Sequence, residues 1–498
     1  MSHPSLRPSA TIAMLAFVSV TLGAQTTAAK SKPTTTASIL MLSDIHFDPF
    51  HDPGKAAELL AAPVSGWETI LAGPASSNPP VTFDQLQDDC KAKGVDTPYA
   101  LLASSIAAEQ AQFSSQNATP AFVTVSGDLT VHKLDCRLKV LAPTLSASDY
   151  SKVSAKIVEF VALELHTAFP KSPVYLAMGN NDSGCGDYEE DHNSGYLDSS
   201  AKSFASAVLS KGNQQDILSE FPEFGDYNVK LPAPFTNTRL IVLQDIFESK
   251  KYTTCKGKDS DSEGKEQVAW LTSQLKDAKS KGEYVWVMGH IPPGIDAYST
   301  ANKGNICTDG GKPSEFLSSE ALGDAFTSYT STISLVLLGH THMDEMRLYS
   351  SKSGAIPARL TPSITPVDGN NPSFTIGTVD PKKAELLDYT VYAASNQTGL
   401  GTTWSEEYEF GKTYGYSSFS ASALSDLTKE FIADTSGTSK NSQSYQNYYF
   451  VAPNAGLLVG IAKSAQWSTL WPMYPCAMTQ DHRKDYVACT CSVSTAKP

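Results

Sequence analysis

Two histidines one residue apart, His340 and His342, stand directly behind the apolar run Ile333 to Leu338 and the glycine Gly339. In an extended segment, residues two apart leave the same side of the chain, so both imidazoles can reach neighbouring points in space and share a metal ion. The run itself, I-S-L-V-L-L, carries no charge and reads as a buried strand, and the glycine lets the backbone turn sharply at its end. On an exposed loop such a pair would do no chemistry. Four further fragments share its setting: Ser43-Asp44-Ile45-His46, Gly127-Asp128-Leu129-Thr130-Val131-His132, Gly179-Asn180-Asn181-Asp182 and Gly289-His290, each behind a short apolar run. Gly-Asp or Gly-His alone is commonplace, but five such fragments in this order point to one convergent cluster. Its donors are imidazole nitrogen and carboxylate or amide oxygen without thiolate, a set that suits Zn2+, with Fe or Mn2+ as alternatives.

The elements that must position these groups are the apolar runs Ser38 to Leu42, Ala121 to Val125, Val174 to Met178, Leu240 to Leu243, Tyr284 to Met288 and Ile333 to Leu338. Their uniform apolarity suits strands covered on both faces. Helical spacing over Tyr99 to Gln112, Ser148 to His166, Ser203 to Leu209 and Gln267 to Lys279 predicts helices between them. The alternation predicts a layered α/β core with its site beyond the carboxyl ends of the strands. After His342, Arg347 to Tyr349, Ala358 to Leu360, Phe374 to Val379 and Leu386 to Tyr392 are closely spaced between Pro, Gly and Asn, as in an antiparallel continuation of a sheet. Residues 404–498 are expected to form a small helical C-terminal subdomain, with a helix over Ala421 to Ala433 and a staple among Cys476 to Cys491. Pro49 to Pro80 and the lysine-bearing Ser249 to Gly264 read as long surface loops.

Composition bounds the function. With 498 residues, 41% of them hydrophobic, the chain can build a sizeable core, and a formal charge of −14 argues against a nucleic-acid partner. Arg7, the apolar run Ile12 to Leu22 and the small residues that follow match a secretory signal peptide over residues 1–29, ahead of a polar linker at 30–37. The run is shorter than the roughly 18 residues a spanning helix needs, so the mature chain is expected to have no transmembrane segment. Eight cysteines form an even set that favours disulfides in an exported chain, with no pairing assignable, and Cys489 and Cys491 lack the partners of a zinc site. Asn117-Ala-Thr and Asn396-Gln-Thr are acceptor sites for sugar in a eukaryotic secretory route.

The ordered set D-x-H, G-D, G-N-x-D, G-H and G-H-x-H resembles the calcineurin-like metallophosphoesterase superfamily. The resemblance implies a four-layer αββα metallophosphoesterase sandwich over residues 38–403 and two divalent metal ions. By position, Asp44, His46 and His342 would hold one ion and Asn180, His290 and His340 the other, with Asp128 bridging both. A shared carboxylate can keep two cations the ~3.5–4 Å apart that two-metal hydrolysis uses. Val131, three residues after the bridging aspartate, disfavours the purple acid phosphatases, which place tyrosine there, and the calcineurin branch, which places an acid. His132 matches acid sphingomyelinases and their secreted relatives, as do the runs Gly289 to Gly294, Gly339 to Glu345, Pro362 to Pro366 and Asn371 to Phe374. The likeness covers roughly Ile39 to Tyr392.

Two departures matter. No cysteine precedes Cys90, so the saposin domain of the full acid sphingomyelinase is not expected. Asn181 and Asp182 replace the usual H-E of G-N-H-E, and G-N-N-D looks more like the endopolyphosphatase branch. Asn181 can donate a hydrogen bond to a phosphoryl oxygen but cannot shuttle a proton. The sequence therefore predicts an exported two-metal phosphoesterase acting on phosphodiester or nucleotide-type phosphoanhydride bonds, with His132 as general acid and Asn181 beside it in the catalytic site. An endopolyphosphatase-type hydrolase and a non-catalytic exported protein that binds metal and phosphate are the alternatives. The expected partner is a small phosphorylated molecule (a nucleotide, a phospholipid head group or polyphosphate), met outside the cytoplasm in an extracellular, periplasmic, lysosome-like or vacuole-like space.

Overall fold

The apolar runs form two six-stranded sheets. The structure, a computed structural model, describes residues 36–258, 260–303, 306–307, 311–451, 470–471 and 473–495; the expected signal peptide and most of the linker lie outside them. Strands β1 (Ala37–Leu42), β2 (Val123–Ser126), β3 (Val174–Ala177), β4 (Tyr227–Lys230), β5 (Thr238–Val242), β6 (Tyr284–Met288), β7 (Ile295–Asp296), β8 (Ser314–Glu315) and β9 (Ile333–Leu338) precede or carry the polar motifs. They are followed by β10 (Glu345–Ser351), β11 (Gly354–Leu360), β12 (Ser373–Asp380), β13 (Glu385–Ala394) and β14 (Trp404–Glu409). One sheet has the order β14-β13-β12-β1-β2-β3, the other β10-β11-β9-β6-β5-β4, and β7 and β8 pair by themselves. β1, β2 and β3 are parallel, as are β5, β6, β9 and β11. Each group therefore delivers its motifs from carboxyl ends on one side of its sheet.

Period-two alternation decides what each strand touches. Leu240 and Val242 of β5, Trp286 and Met288 of β6 and Leu335 and Leu337 of β9 join one hydrophobic cluster with β1, β2 and β3. Their neighbours Ile241, Val285, Val287 and Val336 join another with Leu271, Leu275 and Ala278 of the helix Ser262–Lys281. The sheets thus face each other across one core. The Trp286 indole donates to the Ala384 carbonyl beyond β12 (2.7 Å), and the Tyr227 hydroxyl donates to the Leu176 carbonyl of β3 (2.8 Å). Helices Tyr99–Ser115 and Ala147–Ala168 pack on the first sheet, completing the α/β, four-layer αββα sandwich. The second of these begins at a capping box: Ser146 accepts from the Asp149 N–H and Asp149 accepts from the Ser146 N–H.

Three expectations change. Pro49 to Pro80 is not a plain loop: it holds the helices Ala56–Ala61 and Trp67–Ala72, anchored by Trp67, which is fully buried and donates to the Leu59 carbonyl (2.9 Å). Each helix is too short between its Pro and Gly residues to show a helical period. The helix read at Ser203 to Leu209 is the end of Gly195–Ser206, and Lys211–Phe224 follows it unforeseen, its pattern interrupted by Gly212 and Pro222. The boundary at residue 404 falls inside the first sheet, because β14 pairs with β13 from Ala394↔Trp404 to Thr390↔Glu409. A bulge between Val391 and Tyr392 breaks its alternation, which is why W-S-E-E-Y-E does not read as a strand.

Beyond β14 the described chain is helical: Phe410–Tyr414, Ala421–Ala433, Lys440–Tyr448, Met473–Thr479 and Arg483–Thr495. Cys476 pairs with Cys489 within this part, while Cys491 pairs with Cys307 and ties it to the segment after β7. The described residues from Thr36 onward cluster as one compact unit. Cys90–Cys136 and Cys185–Cys255 complete a set in which every cysteine is bonded.

Candidate metal centre

The strand ends of both sheets meet at one point. Three groups, Asp44, His46, Asp128 and His342, then Asp128, His290 and His340, and also His46, His132 and His342, each place their ligand atoms within 4.8 Å of one another. Asp128 belongs to the first two: its Oδ2 lies 3.3 Å from His46 Nε2 and 3.2 Å from His290 Nε2. Asn180 stands beside the second group with Oδ1 at 3.3 Å from His290 Nε2, its orientation set by an Nδ2 hydrogen bond to Asp187 (2.7 Å).

Local backbone makes this convergence possible. Asp44, His46, Asp128, His340 and His342 all have positive φ, between 43° and 74°, which costs side-chain-bearing residues about 1–3 kcal/mol each and persists only where the surroundings enforce it. Buried carboxylates enforce it by accepting backbone N–H groups. Asp182 takes those of Leu129, Thr130 and Gly179 (2.8–3.0 Å), Asp245 those of His290 and Ile291 (2.8–3.0 Å), and Asp44 that of His340 (3.1 Å). The small residues at the strand ends make room: a Cβ on Gly179 would stand 2.2 Å from Asp128 Oδ1, and one on Gly339 2.1 Å from the Ser43 hydroxyl oxygen.

The donors fit divalent cations. His46 Nδ1 is 2.9 Å from the Thr130 carbonyl oxygen and His290 Nδ1 2.7 Å from that of Ser126, so each ring donates outward and turns the lone pair of Nε2 inward. Those inner nitrogens face others closely: His46 Nε2 is 3.2 Å from His342 Nε2, and His290 Nε2 is 3.3 Å from His340 Nδ1. Facing lone pairs repel unless a cation lies between them, and two nitrogens ~2.0–2.1 Å from one tetrahedral ion stand roughly 3.3 Å apart.

A family model described as calcineurin-like phosphoesterase matches residues 37–344. The chain belongs to that family. Among relatives of this phosphoesterase are sphingomyelinase phosphodiesterase D of Dictyostelium discoideum, 28% identical over 64% of this chain and 66% of that protein, and acid sphingomyelinase-like phosphodiesterase 3b of Mus musculus, 27% identical over 77% of each. Cyclic GMP-AMP phosphodiesterase SMPDL3A of Homo sapiens is 26% identical over 82% of each. A solved dimetal phosphatase from Danio rerio matches 75% of this chain and 99% of its own at 13% identity, with a TM-score of 0.36. This phosphoesterase is a metal-dependent hydrolase, and its buried His/Asp cluster is a binuclear metal site.

Without cations, protons take their place. Burial opposes charge on His290, but Asp128 and Asp44 outweigh it and raise its pKa to about 10; Asp44 and Asp368 do the same for His342, again to about 10. His340 is pushed down to about 3 by burial and by the charge of His290. Burial would raise Asp128, yet His290 and His46 hold it well below the usual carboxylate range.

His132 stands at the open side of the phosphoesterase centre, its Nδ1 2.8 Å from Asp96 Oδ1, while its backbone N–H donates to Asp96 Oδ2 (3.1 Å). Burial would raise the Asp96 carboxyl, but His132 outweighs it and lowers the pKa to about 2. Asn181 also lines the cleft, and its backbone N–H and its amide donate to the two oxygens of Asp128 (2.8 and 3.0 Å), so it positions that carboxylate. Sequence reasoning missed Asp96, Asp187, Asp245 and Asp368, the last 3.1 Å from His342 Nδ1. Only Asp245 left a trace, as a carboxylate just past the run Leu240 to Leu243, which has no motif of its own. The cleft over the centre, about 290 Å3, is also lined by Lys93, Lys133 and Lys251.

Proposed function

We propose that this chain hydrolyses phosphodiester or nucleotide-type phosphoanhydride bonds at the metal pair, with Asp44, His46 and His342 on one ion, Asn180, His290 and His340 on the other, and Asp128 shared. Zn2+ fits the nitrogen-rich donor set best, with Fe or Mn2+ as alternatives. When bound, two such cations neutralise charge on phosphoryl oxygens and lower the pKa of water that becomes the nucleophile. The protein's own groups do the rest. Lys93, Lys133 and Lys251 attract the anionic phosphoryl group into the cleft. Asp96 holds His132 by Nδ1, which leaves Nε2 to carry a proton to the departing oxygen. Asn181 and Asp182 keep the Asp128 loop in place.

The observation that carries this reading is the single oxygen of Asp128 standing 3.3 Å from one histidine cluster and 3.2 Å from the other, with the His132–Asp96 pair at the open face. The curated relatives named as phosphodiesterases support a diester. The three lysines and the G-N-N-D run favour a second reading, an endopolyphosphatase-type hydrolase. Four disulfides fit work in an oxidising space outside the cytoplasm, and among the described residues no helix is long and apolar enough to cross a membrane.

The test is release of product by metal-loaded protein from bis-p-nitrophenyl phosphate, p-nitrophenyl phosphate, CDP-choline, ATP, sphingomyelin and long-chain polyphosphate, beside elemental analysis. Diester or nucleotide turnover supports the reading. Polyphosphate shortening alone would replace it with the second, and no release from any of them would leave a metal- and phosphate-binding protein.

A further inference from the structure

A fully buried guanidinium, that of Arg137, lies behind His132. Its Nε donates to the His132 carbonyl (3.1 Å) and its Nη2 to Gln87 Oε1 (2.7 Å), while Nη1 stands 3.1 Å from Asp48 Oδ2 and Nη2 3.9 Å from Asp96 Oδ2. Local backbone explains the first contact. Lys133, with φ 58°, turns left-handed between His132 and the helix Leu134–Leu141, so the His132 carbonyl leaves the helical path and a side chain from that helix takes it.

The charges are arranged around the imidazole. Asp48 and Asp96 are both buried, and a buried carboxylate without a partner is strongly destabilising. Asp96 Oδ1 meets His132 Nδ1 (2.8 Å) and accepts from the Thr365 hydroxyl (3.2 Å), and its Oδ2 accepts from the His132 backbone N–H (3.1 Å). His132 is thus held at three points, its N–H and Nδ1 by Asp96 and its carbonyl by Arg137. The guanidinium is itself clamped. Gln87 also donates to the Gly94 carbonyl (2.7 Å), two residues before Asp96, and the disulfide Cys90–Cys136 joins the end of the helix Phe83–Asp89 to the residue preceding Arg137. A planar fork can serve a carbonyl, an amide and two carboxylates in different directions at once, whereas an ammonium is a single point charge. Arg137 lines no part of the metal cleft, so any effect it has on the reaction must pass through His132 and Asp96.

Resting on the assignment of His132 as general acid and adding a residue to it, we propose that Arg137 is a positioning residue of the reaction: through the His132 carbonyl and the Asp96 carboxylate it fixes the imidazole so that Nε2 is aimed at the departing oxygen.

The experiment compares two diesters on the metal-loaded full chain: methyl p-nitrophenyl phosphate, whose leaving group departs readily without a proton, and methyl phenyl phosphate, whose more basic leaving group gains from one. Arg137→Lys keeps a positive charge between Asp48 and Asp96 but gives up the fork. Its kcat for the phenyl ester should fall about tenfold further than for the p-nitrophenyl ester, the scale on which an orienting partner acts, with metal content unchanged. In a His132→Ala background the same substitution should alter neither kcat by more than about twofold, since an effect that passes through His132 disappears with it. Gln87→Ala, which loosens the guanidinium without replacing it, should show the same discrimination in smaller degree. Equal losses on the two esters, an unchanged kcat, or a loss that persists without His132 would overturn the proposal and leave Arg137 a part of the scaffold. If Arg137→Lys does not fold, equal losses or none in Gln87→Ala overturn it. The two readings fail separately: His132→Ala that loses equally on both esters sinks the general-acid assignment, whereas His132→Ala that discriminates while Arg137→Lys does not sinks only the positioning role.

Discussion

His132 lies flat against His46, ring centroids 3.7 Å apart and planes 19° from parallel. This stacking, with the Asp96 hydrogen bond, holds the His132 imidazole close beside that of His46. His132→Ala should lower turnover by ~10²–10⁴-fold with metal content unchanged, read by steady-state kinetics beside elemental analysis. Asp96→Asn should cost roughly 10- to 100-fold in turnover, because the amide offers the ring one neutral acceptor, or a donor, in place of the carboxylate that selects its tautomer. Metal loss in either variant would instead make the pair structural.

Asp245 touches no expected metal position yet accepts the backbone N–H groups of His290 and Ile291. Asp245→Ala strands both donors in the interior, at about 1–3 kcal/mol each. A lowered urea midpoint and a 10- to 100-fold weaker hold on the second ion against a chelator are expected. Asp245→Asn, which keeps one acceptor oxygen, should fall between.

Removing the metals should load protons onto the centre. His290 and His342, with pKa values raised to about 10, are protonated at pH 7 in the metal-free protein and must lose those protons to ligate. Metal binding at pH 7 should thus release about two protons, and affinity should fall as pH is lowered. Calorimetry in two buffers of different ionisation enthalpy counts them, and a heat independent of buffer would contradict the assignment.

Glu109 supplies a pH dependence remote from the metals. Fully buried, with Ser105 donating to one oxygen (2.5 Å) and no partner on the other among the described residues, its carboxyl is pushed up to about 7 by burial. Below the ordinary 4.5 both folded and unfolded chains hold the proton. Between 4.5 and about 7 only the folded chain holds it, so stability declines as pH rises through that window and stays reduced above it. Glu109→Gln should abolish this decline, matching the wild type near pH 4 and exceeding it by about 3 kcal/mol at pH 8 in urea unfolding.

The candidate donor set was legible because metal chemistry restricts residue types and parallel strands present their carboxyl ends on one side of a sheet. Asp44, His46, Asp128, Asn180, His290, His340 and His342 each follow an apolar run, so their order along the chain and their place at a strand end could be read together. Short helices around Trp67, the strand β14 with its bulge and the eight-cysteine pairing were not legible, since each depends on partners far along the chain.

The amino-acid sequence by itself determined the class of chemistry: which atoms could hold cations, at the ends of which strands, in a layered α/β core. Only the tertiary structure decided how those atoms are held and what lies beside them. Asp96 meets His132, Asp245 meets His290 and Asp368 meets His342 across turns of the fold. Asn181 turns to Asp128, and an aromatic cavity forms where β10 passes the C-terminal helices. Such contacts obey no local period; they follow from where two twisted sheets and their loops come to rest, which is a property of the packed chain.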